Sequence, residues 1–112
     1  MKQLMFKARF TPLILARSKT QTIRAHSGIR EGDLVQARCQ YHQPAWAILR
    51  VIAVKSVKRS ELSEADAKAD GFETLAELQK ALTRIHPLLG AECEFFRIEF
   101  ECMTRVARQN PR

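Results

Sequence analysis

The run Glu94-Phe95-Phe96-Arg97-Ile98-Glu99-Phe100-Glu101-Cys102 alternates apolar and charged residues with a period of two. Phe96, Ile98, Phe100 and Cys102 fall on one side, and Arg97, Glu99 and Glu101 on the other. That is the pattern of an antiparallel strand with one face on a core and one face wet. Its neighbours upstream have a different period. Leu75, Leu78, Leu82 and Ile85 recur at helical spacing, with Thr74 and Glu77 placed for a capping box and Pro87 ending the element. Ser63 to Asp70 predicts a further helix, stopped by Gly71. Two helices therefore precede the last strand.

Further upstream, Ala45 to Val57 is almost continuously apolar and β-branched. This predicts a long strand, either buried on both faces or bent within a barrel. Asp33 to Cys39 alternates and predicts another strand, followed by a turn at Tyr41-His42-Gln43-Pro44. Leu4 to Arg9 and Thr20 to Arg24 suggest two short strands. Between them Thr11 is placed to N-cap a short helix with Pro12 in its first turn. The sum is an α+β chain of about five strands, with one short helix near the start and two before the last strand, expected to close as a small mixed barrel. A single domain over 1–106 with a tail at 107–112 is expected from 112 residues.

Composition narrows the classes. Apolar residues make up 46 % and charged residues 28 % of the chain, which excludes wholesale disorder and a collagen-like repeat. Three cysteines, Cys39, Cys93 and Cys102, without a C-x-x-C pair indicate neither a disulfide framework nor a zinc site. No apolar run approaches the roughly 20 residues that cross a bilayer, and no leader pattern is evident. A cytoplasmic setting without membrane contact is the default expectation. The net charge is +7, and it is unevenly spread. Residues 1–59 hold twelve Lys and Arg against two acids, whereas residues 60–112 hold seven against ten. A basic half points to phosphate-bearing partners or serves solubility alone.

The most unusual segment is Ser18-Lys19-Thr20-Gln21-Thr22-Ile23-Arg24. In an extended chain Thr20, Thr22 and Arg24 share a face. A Lys, a Thr hydroxyl and an Arg converging near a turn can bind a phosphate or carbonyl oxygen. They can also activate a nucleophile, provided burial lowers the Lys pKa. A solvated basic strand is the plainer reading of so short a motif.

The run Ile14-Leu15-Ala16-Arg17-Ser18-Lys19-Thr20-Gln21-Thr22-Ile23-Arg24 resembles the opening motif of ASCH domains, relatives of the PUA fold. The likeness continues through Ile29-Arg30-Glu31-Gly32-Asp33, Leu62-Ser63-Glu64-Ala65-Asp66, Asp70-Gly71-Phe72, Ile85-His86-Pro87 and Phe96-Arg97-Ile98-Glu99-Phe100. It covers nearly the whole chain and implies a PUA-like β-barrel with a cleft under a helical flap. Such domains are thought of as RNA-binding modules. In size and in its K-T-x-T-I-R motif the chain is most similar to bacterial N4-acetylcytidine amidohydrolases, which use a Lys, a Thr and a Glu. The resemblance implies Lys19 as base and Thr22 as nucleophile or as a residue that positions water. Asp70 stands at the acid position, one methylene shorter, and Glu73 is the alternative acid. Arg24, Thr20, Arg17, Tyr41 and Phe72 are the expected substrate contacts. The implied partner is an acylated cytidine nucleoside or RNA. No metal or cofactor is implied, and the chain is expected to be a monomer or weak homodimer. The competing readings are an RNA-binding module without catalysis and a ribonuclease.

Overall fold

A computed structural model describes residues 1–26 and 28–105. The expected tail at 107–112 lies outside the described residues. Five strands are present: β1 (Lys2–Met5), β2 (Gln21–Arg24), β3 (Leu34–Arg38), β4 (Ala47–Lys58) and β5 (Glu94–Arg105). The helices are α1 (Thr11–Leu15), α2 (Glu64–Ala69) and α3 (Leu75–Ile85), with 3-10 turns at Ala8–Phe10 and Arg59–Glu61. The chain is α+β, as its periodicities require.

The strands form one sheet in the order β1-β3-β4-β5-β2. Only β1 and β3 run parallel, and the other neighbours are antiparallel. The sheet is open, so the expected closed barrel is corrected. β1 and β2 are its two edges, and among the described residues no strand ladder joins them. Each is four residues long. A side chain spans the gap instead: Arg24 Nη2 donates to the Met5 carbonyl at 2.6 Å, with its guanidinium 5.1 Å from the Phe6 ring centre.

β4 is the longest strand together with β5, and it bends rather than lying buried on both faces. Its register against β5 slips at Ile48/Leu49 and again at Val51/Ala53. Ala47, Leu49 and Val51 are buried while Arg50 and Ile52 are exposed, so the apolar run conceals an alternation.

The sheet is covered on both faces. One core joins Phe6, Phe10 and Ile14 to Val35, Leu49, Ile98 and Phe100. The second lies under α2 and α3 and holds Ile23, Val57, Ala67, Leu78, Leu82 and Phe95. Alternation on β5 serves both. Ile98 and Phe100 face the first core, while Phe95 and Arg97 face the helices.

Two caps differ from expectation. Phe10, not Thr11, is the N-cap of α1, and Thr11 Oγ1 sits 3.8 Å from Cys39 Sγ. Thr74 Oγ1 accepts from the Glu77 N–H, but Glu77 Oε2 accepts from the Glu73 N–H, so the capping box is half made. The complete box is at Ser63 and Asp66, where each side chain accepts the other's backbone N–H. Ile85, expected on the buried stripe of α3, is 58 % exposed.

Candidate functional site

α2 brings Asp70 into place through its two ends. At its start, Asp66 is held by more than its cap. Arg97 Nε and Nη2 on β5 donate to its two carboxylate oxygens at 2.9 and 3.0 Å. Gln21 Nε2 on β2 donates to Oδ1 at 3.2 Å. Burial alone would raise the Asp66 carboxyl. The Ser63 N–H, Arg97 and Gln21 outweigh it and hold the group below the usual carboxylate range. The start of α2 is thus bolted to two strands.

At its end, α2 closes in a Schellman motif. Phe72 N–H donates to the Ala67 carbonyl and Gly71 N–H to that of Lys68. Gly71 supplies the left-handed residue this needs, with φ at +91°, and a Cβ there would lie 3.1 Å from the Phe10 ring. Asp70 is the C-cap residue. Its carbonyl and its carboxylate both point at one partner.

That partner is Lys19. It leaves α1 through a second Schellman turn, with Ser18 N–H on the Leu13 carbonyl and Arg17 N–H on that of Ile14. Arg17 takes the left-handed position at φ 63°, normally a glycine's place. Lys19 N–H also reaches the Leu13 carbonyl, and the next residue is tied on both sides. Thr20 N–H donates to the Ala69 carbonyl, and the Thr20 carbonyl accepts from Phe100 N–H. The backbone on either side of Lys19 is therefore fixed to α1, α2 and β5.

Lys19 Nζ donates to Asp70 Oδ1 at 2.7 Å and to the Asp70 carbonyl. It lies 4.4 Å from the Phe10 ring centre and 5.9 Å from that of Phe6. Lys19 is 3 % exposed and Asp70 4 %. Burial lowers the Lys19 ammonium from its ordinary 10.5 despite the carboxylate beside it, and Arg24 and Arg9 push it further down. Burial likewise raises Asp70 from 3.8 to about 6, against the pull of Lys19 and Arg24. Burial thus moves both groups of the pair towards their neutral forms, unlike an exposed ion pair.

β2 begins two residues after Lys19. Alternation puts Thr22 and Arg24 on one face, opposite Ile98 and Phe96 of β5, while Gln21 and Ile23 turn to the helical side. Thr22 is buried, and Arg24 Nε donates to its Oγ1 at 3.0 Å. That bond occupies an acceptor site of the hydroxyl and leaves its own proton to be donated elsewhere.

Lys19, Thr22, Arg24, Asp70 and Phe72 all line one cleft of about 830 Å³. Phe6 and Phe10 also line it, as does α3 through Glu77, Leu78, Lys80 and Arg84. The other expected contacts lie elsewhere. Thr20 is exposed, outside the cleft lining, and engaged through its backbone. Arg17 Nη2 donates to the Cys102 carbonyl at 3.3 Å, away from the cleft. Tyr41 is 81 % exposed in its turn and outside the lining. Glu73 is exposed, and Asp70 occupies the position beside Lys19. Arg9, Phe10 and the Asp66–Arg97 pair, by contrast, belong to the site or its support without a local sequence signal. Among the described residues, no group of three or more His, Cys, Asp or Glu is placed to hold a metal, and no helix is long and apolar enough to cross a membrane.

No protein-family model matches the chain, and no curated protein matches it in sequence. Solved structures do. An ASCH domain from Lactobacillus crispatus JV V101 superposes with a TM-score of 0.75 at 18 % identity, covering 90 % of this chain and 78 % of that one. A protein of the DUF984 family from Enterococcus faecalis V583 gives 0.73 at 17 %, covering 99 % and 85 %. A Pyrococcus furiosus protein solved by NMR gives 0.60 at 16 %, covering 91 % and 96 %. At such identities the likeness establishes the fold, and that fold is ASCH/PUA-like.

Proposed function

We propose that the cleft hydrolyses the exocyclic amide of an N4-acylated cytidine, with Thr22 as nucleophile and Lys19 as base. One observation carries the reading: a buried Lys, depressed in pKa and clamped by a carboxylate, shares a cleft with a buried Thr hydroxyl. A surface role in binding nucleic acid gives no reason to bury an ammonium, which costs stability. A Lys base, in contrast, has to lose its proton near neutrality, and burial moves the Lys19 pKa in that direction.

In the proposed sequence, Thr22 Oγ attacks the acyl carbon while Lys19 Nζ takes the hydroxyl proton. The carbonyl becomes an oxyanion, and Arg24, already on Thr22 Oγ, is the candidate to stabilise it. Collapse breaks the C–N bond, and Lys19 returns the proton to the cytosine nitrogen that leaves as the amine. Water then attacks the threonyl ester. Lys19 takes a proton from that water and returns it to Thr22 Oγ as the Oγ–acyl bond breaks, so the carboxylic acid leaves and both residues are restored. Asp70 holds Nζ by two contacts throughout, so the base keeps its aim. No His is needed, as in Ser-Lys hydrolases.

The test is release of cytidine from N4-acetylcytidine by wild type, Lys19→Ala and Thr22→Ala. Turnover by wild type that is lost in both variants is expected. Absence of turnover by wild type on a series of N4-acyl groups would overturn the reading and leave a non-catalytic RNA-binding module or a ribonuclease. Turnover undiminished in Thr22→Ala would assign the attack to water.

A further inference from the structure

Arg9 sits in the 3-10 turn before α1, and it is held unlike any other cation of the cleft. Its guanidinium carbon lies 4.3 Å from the Phe10 ring centre and 4.9 Å from that of Phe72. The two rings pack edge to face at 5.7 Å. Among the described residues, no hydrogen bond or ion pair engages the Arg9 guanidinium. Aromatic faces thus set its position while its five N–H donors stay open. Arg9 lines the cleft, and Lys19 Nζ touches the same Phe10 ring. The open guanidinium therefore lies within one nucleotide's length of the base.

Charge across the cleft agrees. Lys7 lines the cleft together with Arg9, and Lys80 and Arg84 line it from α3. Among the described residues none of the four is in a salt bridge. Lys80 and Arg84 are one turn apart on a helix, a like-charge spacing that costs a little stability. Of the acids on the lining, Asp70 is engaged by Lys19, and Glu77 accepts the Glu73 N–H. Taken alone, Lys80 and Arg84 would be a solvated helix face. With Arg9 held on aromatic rings and without a partner among the described residues, the lining gathers four cations for which a neutral nucleoside has no charged complement.

We propose that Arg9 binds phosphate and that the cleft prefers an N4-acylated cytidine carrying a phosphate group over the bare nucleoside. The inference rests on the cytidine reading above and specifies its substrate class. A planar fork suits a phosphate oxygen pair, and charge-assisted bonds of this kind support at least about tenfold discrimination. Lys7, Lys80 and Arg84 add attraction that salt weakens.

The experiment measures kcat/KM for N4-acetylcytidine, its 5′-monophosphate and a short single-stranded oligoribonucleotide containing the modified base. Wild type and Arg9→Gln are compared at low and high salt. In parallel, calorimetry measures binding of cytidine and of cytidine 5′-monophosphate to the same two proteins. The expected result is a preference of about tenfold or more for a phosphorylated form, falling towards unity in Arg9→Gln and at high salt. Equal use of all three, or a preference unchanged in Arg9→Gln, overturns the proposal. The ratio is the readout because any effect of Arg9 on the Lys19 pKa moves both substrates together. The monophosphate matching the oligonucleotide identifies a terminal phosphate as the ligand, and preference for the oligonucleotide alone identifies the diester chain. If wild type turns over none of them, the hydrolase reading fails by itself. The calorimetric preference for the monophosphate, and its loss in Arg9→Gln, then decides the phosphate site.

Discussion

Replacing Asp70 with Asn should reverse part of the pH dependence of stability, and the size of the effect follows from the buried pair. In the folded chain the Asp70 carboxyl is raised from 3.8 to about 6, chiefly by burial. Between those two values the folded chain holds a proton that the unfolded chain has released. Stability from this group is therefore present at low pH and is lost as pH rises through about 6. At about 1.36 kcal/mol per unit the full loss is about 3 kcal/mol, most of it between roughly pH 4 and pH 7. The amide of Asp70→Asn has no proton to lose. The stability of Asp70→Asn relative to wild type should accordingly improve by about 2–3 kcal/mol over that interval. Lys19 adds to the trend. Without the carboxylate its pKa drops further below 10.5, and a depressed ammonium regains stability as pH rises past its folded value. Urea unfolding of both proteins at about pH 4, 5.5, 7 and 8 measures the difference, with equal m-values confirming a like unfolded state. By thermal melts the same change is on the order of 10 °C. A difference that stays flat across this range, or that moves in favour of wild type, would refute the reasoning. It would mean that Lys19 holds Asp70 as an ordinary low-pKa carboxylate and that the site is a structural ion pair.

Two further outcomes test how the pair is held. Gly71→Ala should cost about 1–3 kcal/mol by urea midpoint, because the residue sits at φ +91° and its Cβ would come 3.1 Å from the Phe10 ring; a loss under about half a kcal/mol would show that the turn relaxes freely. Arg97→Ala should cost about 2–3 kcal/mol at pH 7, since Asp66 keeps a largely buried charge without its bidentate partner. Asp66 is depressed in the folded chain, so its contribution exists above its unfolded pKa and disappears as pH falls, and the deficit of Arg97→Ala should shrink below about pH 4.

What the sequence discloses is set by the range of each interaction. The strand periodicity of Phe96-Ile98-Phe100 and the helical spacing of Leu75-Leu78-Leu82 are local, and they give the α+β order directly. The face shared by Thr22 and Arg24 is also local, because one alternation decides it. Asp70 was reachable only through the motif around Gly71, since its partner is 51 residues away. Nothing local marks Arg9 as an aromatic-pinned cation, because one of its two rings, Phe72, arrives from the far end of α2. Thr20, Arg17 and Tyr41 lie outside the cleft lining, because being adjacent to a motif, or lying in a turn, says nothing about which way a side chain leaves the backbone. Barrel closure is not legible locally because it depends on the two edges meeting, and among the described residues the four-residue β2 pairs with β5 and reaches β1 through Arg24.

The two-sided sheet explains why so costly a pair survives. A buried Lys–Asp pair is commonly no better for stability than apolar residues of the same size, so its retention needs a cause outside stability. Lys19 hangs from the α1 side, against Phe6 and Phe10 of the first core. Asp70 hangs from α2, whose Ala67 is in the second core. The pair thus stands where the two cores meet, and Phe72 packs against both. Water entering this seam would restore Lys19 and Asp70 towards their ordinary pKa values and end any use of Lys19 as a base near neutrality. Three constraints surround the seam: the Asp66 clamp, the turn at Gly71 and the left-handed Arg17. On this view, substitutions that loosen the seam without touching Lys19, Asp70 or Thr22 should raise the pH at which activity appears before they unfold the chain.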